Sequence, residues 1–81
     1  PFNPTTQISY DLSRNDNVRI DIYDVMGRRI KSIVNTYQVA GHYSAKWNAE
    51  NELGGPVPAG MYICSMHAGD FRKNIKMILI K

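Results

Sequence analysis

Trp47-Asn-Ala-Glu-Asn-Glu-Leu-Gly-Gly-Pro-Val-Pro-Ala-Gly60-Met-Tyr62 is where the strand pattern of this chain breaks off and resumes. Upstream of it, Tyr43, Ala45 and Trp47 share one side, and His42, Ser44, Lys46 and Asn48 share the other. Downstream, Tyr62, Cys64 and Met66 alternate against Ile63, Ser65 and His67. This period of two marks a half-buried strand, because successive side chains point to opposite faces. Between the two runs, Ala49 to Ala59 carries Gly54, Gly55, Pro56 and Pro58, a composition that makes turns rather than a structureless loop. Trp47 and Tyr62 flank the loop and are expected to close one end of a core.

The same period extends outward in both directions. Ile8, Tyr10 and Leu12 alternate with Gln7, Ser9 and Asp11, and Val18, Ile20 and Ile22 alternate with Arg19, Asp21 and Tyr23. Asp24-Val-Met-Gly27 has hairpin-turn chemistry: a capping carboxylate first and a glycine where positive φ is needed. Arg28 to Val34 reads as a third strand, and its paired apolar finish at Ile33-Val34 predicts a bulge or a strand end. Asn35 to Ala40 reads either as a short edge strand or as a connection. Gly69-Asp70 predicts a tight hairpin into a last strand, Phe71 to Lys81. Met77-Ile-Leu-Ile80 is apolar at every position; it reads as a central strand covered on both faces or a bulged one, with a partner-binding strand or edge as the functional alternative. Six to seven short strands without helices give an all-β, antiparallel β-sandwich, in which two sheets bury their apolar faces together.

With 81 residues, the chain holds a single domain that buries only about 60% of its unfolded surface. Residues 1–6 read as the end of a linker and residues 7–81 as the sandwich, an excerpt of a longer protein without its own signal peptide. The net charge of +3 is dispersed, and Asp11, Asp16, Asp21 and Asp24 dilute the basic group around Arg28-Arg29, so a nucleic-acid surface is not expected. No apolar run reaches the roughly 18–20 residues of a membrane helix. The lone Cys64 cannot form an internal disulfide and reads as a small buried hydrophobe.

Catalytic, metal and cofactor chemistry find no constellation. Glu50 and Glu52 with Asn48 and Asn51 offer oxygen atoms, but not at the spacing of a calcium loop, and Asx-turns explain the asparagines. His42 and His67 lie on solvent faces, and Cys64 faces away from His67. Gly54-Gly55 leads into prolines and a strand, not the helix N-terminus of a phosphate loop. Tyr23 and Tyr37 are candidates for a sugar-stacking platform. The expected function is therefore not enzymatic, with no catalytic residue, metal or cofactor.

Five motifs in register resemble one family along nearly the whole chain: Phe2-Asn3-Pro4-Thr5-Thr6, Tyr23-Asp24-Val25-Met26-Gly27-Arg28, Trp47-Asn48-Ala49, Gly54 with Val57-Pro58-Ala59-Gly60-Met61-Tyr62, and Lys76 to Lys81. They are similar to the type A C-terminal sorting domain of the type IX secretion system, itself related to the sandwich of flagellar hook-capping proteins. The hook-capping version is internal, whereas this one reads as terminal. Asn48-Ala49 stands where the family usually has Asp-Gly, and the opening motif is short.

The resemblance implies a small immunoglobulin-like sandwich recognised by the outer-membrane type IX translocon and removed from an N-terminal cargo domain by a sortase-like peptidase. It implies passage through the periplasm to the exterior or the outer-membrane surface of a Gram-negative bacterium. By the same resemblance, Gly60, Tyr62, Lys76, Met77, Ile78, Leu79, Ile80 and Lys81 form the recognition surface, and Asp24, Gly27, Trp47 and Gly54 hold the turns and core. The alternative is an accessory β-sandwich module, carbohydrate-binding or structural, of a secreted polysaccharide-degrading enzyme.

Overall fold

A computed structural model describes residues 6–80. Six strands follow one another: β1 (Thr6–Leu12), β2 (Asp16–Asp24), β3 (Arg29–Gln38), β4 (Gly41–Trp47), β5 (Gly60–Ala68) and β6 (Phe71–Leu79). They form two antiparallel sheets, a four-stranded one in the order β3-β2-β5-β6 and a two-stranded one of β1 and β4. The sandwich expected from the alternation is therefore the fold.

The core takes the predicted side of each strand. Ile8 and Leu12 of β1, Val18, Ile20 and Ile22 of β2, Trp47 of β4, and Tyr62, Cys64 and Met66 of β5 are all buried in one cluster. The third strand carries the expected irregularity. The β2–β3 register slips between Ile20 and Asp21, where Val34 and then Ser32 are the partners, and again between Ile22 and Tyr23, where Lys31 and then Arg29 are. The skipped residues, Ile33 and Ile30, are both half-buried and pack against the core. A bulge rotates the extra side chain out of the pleat, which lets this edge strand contribute two isoleucines that strict alternation would misplace. Asn35 to Gln38 continues β3 rather than forming a separate edge strand or a loop.

Two expectations are corrected. Met77–Leu79 does not lie in a central strand: β6 is the edge of the four-stranded sheet, with Met77 and Leu79 buried and Ile78 exposed. Asp21, assigned to a solvent face, is buried. It sits on the central strand β2 between Ser32 of β3 and Ser65 of β5, and Arg19 on the same strand lays its guanidinium against it at 2.8 Å.

The sheets are unequal, two strands against four, so the inward face of β6 is incompletely covered. Between β1 and β6 lies an open groove of about 390 Å³ lined by Ile8, Tyr10, Met66, Phe71 and Ile75, with Lys73 at its rim. On the other side, Tyr10 and Tyr43 stack across the β1–β4 pair with centroids 5.5 Å apart, and Tyr10 Oη donates to Gln38 Oε1 at 2.7 Å, tying this sheet to the end of β3.

Candidate recognition surface at the end of the sandwich

The motifs that lie far apart in sequence meet at one end of the molecule. Register brings Asp24 opposite Tyr62, and Gly60, Met61 and Tyr62 opposite Leu79, Ile78 and Met77. The β2–β3 turn, the start of β5 and the end of β6 thus form one surface.

The turn is organised by Asp24. Its Oδ1 accepts the amides of Met26 and Arg28, each at 2.9 Å, and its Oδ2 pairs with Arg28 Nε at 2.9 Å. The backbone closes around it, with Asp24 N donating to Arg28 O and Gly27 N to Asp24 O. The Arg28 amide bond, with help from the guanidinium and the Met26 amide, holds the Asp24 carboxyl below the usual range, as expected where hydrogen bonds favour the charged form. Gly27 closes the turn at φ 83°. Between cap and glycine, Val25 and Met26 are pushed into solvent, 64% and 76% exposed.

The long loop is equally determined. Trp47 is 1% exposed, and its Nε1 donates to Glu50 O at 2.9 Å. Asn51 Oδ1 accepts the amides of Leu53 and Gly55, the Asx-turn behaviour expected of it. Glu52 donates its amide to Ile30 O and accepts the Ser32 amide on Oε1, fastening the loop to β3. Gly54 takes φ 82° in this turn, and its amide donates to Asn51 O at 3.0 Å. Ala49 occupies the left-handed region too, at φ 58°, a conformation that favours glycine and is held here with a methyl group. The loop then delivers Pro58, whose carbonyl accepts Tyr62 Oη at 2.6 Å. Burial, and secondarily the charge of Asp24, raises the Tyr62 phenol above its ordinary pKa.

Of the residues assigned to recognition, the structure divides two groups. Tyr62, Met77 and Leu79 are buried and hold the strand ends in place. Lys76, Ile78 and Ile80 are exposed, Ile78 at 47% and Ile80 at 49%. Lys81 and the opening residues Phe2 to Thr5 lie outside the described residues. Sequence reading missed that Val25, Met26 and Met61 join the surface: all three are exposed and line the cleft between the β2–β3 turn and the start of β5. A turn that places two apolar residues between its cap and its glycine was the available signal.

The remaining candidates do not gather. His42 pairs with Asp11 on the two-stranded sheet, which raises its pKa through the hydrogen bond first and the charge second, while His67 is exposed on β5. Cys64 is buried, and desolvation, then the charge of Asp21, pushes its thiol up to about 11. Tyr23 and Tyr37 pair with Arg29 and Asn17 at opposite ends of the β2–β3 ladder, too far apart to form one platform. No group of three or more His, Cys, Asp or Glu side chains suited to a metal occurs among the described residues. No helix among them is long and apolar enough to cross a membrane.

Residues 3–70 match the family model of the FlgD Ig-like domain. The chain belongs to this family. As a FlgD Ig-like domain, it superimposes on FlgD of P. aeruginosa with a TM-score of 0.70 and 25% identity, over 91% of this chain and 58% of that one. It is also similar to latent PorU of Porphyromonas gingivalis, with a TM-score of 0.72, 19% identity, and coverage of 99% of this chain and 8% of that one. A third similar structure is PorZ of the same organism, described as an essential bacterial surface component of its type-IX secretion system; the TM-score is 0.59, with 25% identity over 82% of this chain and 8% of that chain. The chain thus spans 58% of the FlgD chain and a small part of the two Por proteins. No curated protein matches the chain.

Proposed function

We propose that this FlgD Ig-like domain is a C-terminal sorting module of the type IX secretion system, read by the outer-membrane translocon through the end of β6. The observation that carries this reading is the convergence of the motif residues on a single surface. Asp24–Arg28, Gly60–Tyr62 and Lys76–Ile80 adjoin there, and they leave the apolar side chains of Val25, Met26, Met61, Ile78 and Ile80 exposed beside the exposed cations Arg28 and Lys76. Contiguous exposed apolar groups of this kind mark interaction surfaces. Likeness to PorU and PorZ supports placing such a module in an exported or surface-bound protein. A cargo preceding the sandwich, its release by a sortase-like peptidase, and a route through the periplasm belong to the same proposal.

The test is export of a neutral reporter ending in this chain from a bacterium with a working type IX system. Deleting Lys76 to Lys81 is the wrong control, because it removes buried Met77 and Leu79 and unfolds the end of the core. The informative variant is Lys76→Glu, Ile78→Ser, Ile80→Ser, which alters only exposed side chains. Export of the intact fusion with periplasmic retention of the folded variant supports recognition at this surface. Equal retention of both folded fusions rules against it and favours an accessory module.

A further inference from the structure

The edge of β6 carries more than the exposed tip. β5 and β6 together hold no carboxylate, while β6 holds Arg72 and Lys76 on its outward face and Lys73 on its inward face, in the groove between Phe71 and Ile75. Among the described residues, none of these three cations takes part in an ion pair; the pairs formed there are Asp24–Arg28, Asp21–Arg19 and Asp11–His42. The strand is regular throughout, pairing residue by residue with β5 from Phe71 to Leu79 without a register shift. Its other side has no neighbouring strand in the sheet, so a row of backbone donors and acceptors faces outward. Phe71 and Ile75, whose places in the alternation point them inward with Met77 and Leu79, stay 55% and 37% exposed along the groove beside β1.

We propose that this edge takes an extended strand from a partner protein, with carboxylates on the outward face opposite Arg72 and Lys76 and apolar side chains on the inward face opposite Phe71 and Ile75. The inference deepens the sorting reading by giving the chemistry of the partner that reads β6, and in that sense rests on it. Strand addition satisfies the open backbone row, and alternate side chains supply specificity. Opposite charges across a strand pair stabilise it and like charges oppose it. A second copy of this chain is therefore the wrong occupant, since it would bring the same three cations from each side into one ladder; lysines on edge strands commonly block such self-pairing. An acidic strand converts that block into selection. The inward apolar side chains would complete the cover over Phe71 and Ile75 that the two-stranded sheet leaves open.

The test is fluorescence anisotropy with the 81-residue chain and a labelled, end-capped octapeptide alternating valine and glutamate. We expect it to bind at least tenfold more tightly than the valine–lysine counterpart, to weaken with added salt, and to lose binding when alternate backbone amides are methylated. In the Arg72→Glu, Lys76→Glu chain, shown folded by circular dichroism, the preference should reverse toward the valine–lysine peptide. Equal binding of both peptides, binding indifferent to amide methylation, or no binding to the unmodified chain overturns the proposal. The two readings fail separately: a reporter exported without any peptide preference removes the acidic strand and leaves the sorting module, whereas peptide preference in a chain that never directs export does the reverse.

Discussion

The ring of Tyr62 stands edge-on to that of Trp47, with centroids 5.1 Å apart and planes inclined at 66°. Fifteen positions of chain separate them, most of it the loop that each ring helps to hold: Trp47 through the Glu50 carbonyl and Tyr62 through the Pro58 carbonyl. Edge-to-face pairs add about 0.5–1.5 kcal/mol beyond the area they bury. The aromatic pair is thus both the end of the core and the clamp on the loop that leads to Gly60.

Trp47→Ala should therefore cost about 3–5 kcal/mol, a large share of the stability of a domain this small. His42→Ala, on the exposed face of the same strand, should leave the denaturant midpoint nearly unchanged. Urea unfolding of the two variants checks this; similar small shifts in both would contradict the assignment of faces.

Acid should loosen the β2–β3 turn before the core. The folded pKa of Asp24 is depressed, so its contribution is fully present above the unfolded carboxylate value and is lost as pH falls through the folded one. Carboxyl-carbon NMR should show Asp24 titrating below the ordinary aspartate range, with the Met26 and Arg28 amides moving in the same transition. Asp24→Asn should abolish that transition, and amide shifts that persist in it would assign the effect elsewhere.

Backbone conformation separates three turn positions. A Cβ at Gly27 or Gly54 would meet nothing within 4 Å, so Gly27→Ala and Gly54→Ala should each cost only the left-handed backbone term, about 1–2 kcal/mol. Ala49→Gly relieves the same term at φ 58° but removes a buried methyl worth about 0.8 kcal/mol. Its net effect should fall within about 1 kcal/mol of zero. Thermal midpoints of the three variants decide the matter, and a large loss at Ala49→Gly would show that the methyl outweighs the strain.

Cys64 should resist alkylation in the folded chain. Its thiol is buried and its pKa lies near 11, so little reactive thiolate is present at neutral pH and reagent reaches it only through opening. The logarithm of the iodoacetamide labelling rate, followed by mass spectrometry, should rise linearly with added urea. Rapid labelling under native conditions would mean that β5 is less protected than its neighbours imply.

Alternation by itself determined which side chains enter the core. Val18, Ile20 and Ile22, or Tyr62, Cys64 and Met66, could be assigned because the pleat forces every second residue to one face, and the apolar doublet Ile33-Val34 announced the bulge. The chemistry of Asp24, Asn51 and Gly54 likewise named the turns, since these act within a few residues of themselves. Only the tertiary structure decided which strand neighbours which. Period two encodes a face, not a partner, and pairing β2 with β5 or β1 with β4 joins segments more than 25 residues apart. For that reason the sequence left Met77–Ile80 open between a central, a bulged and an edge strand, and did not mark Asp21 as a buried carboxylate. The first is half-exposed because β6 has one neighbour in its sheet, and the second is covered because β2 has two.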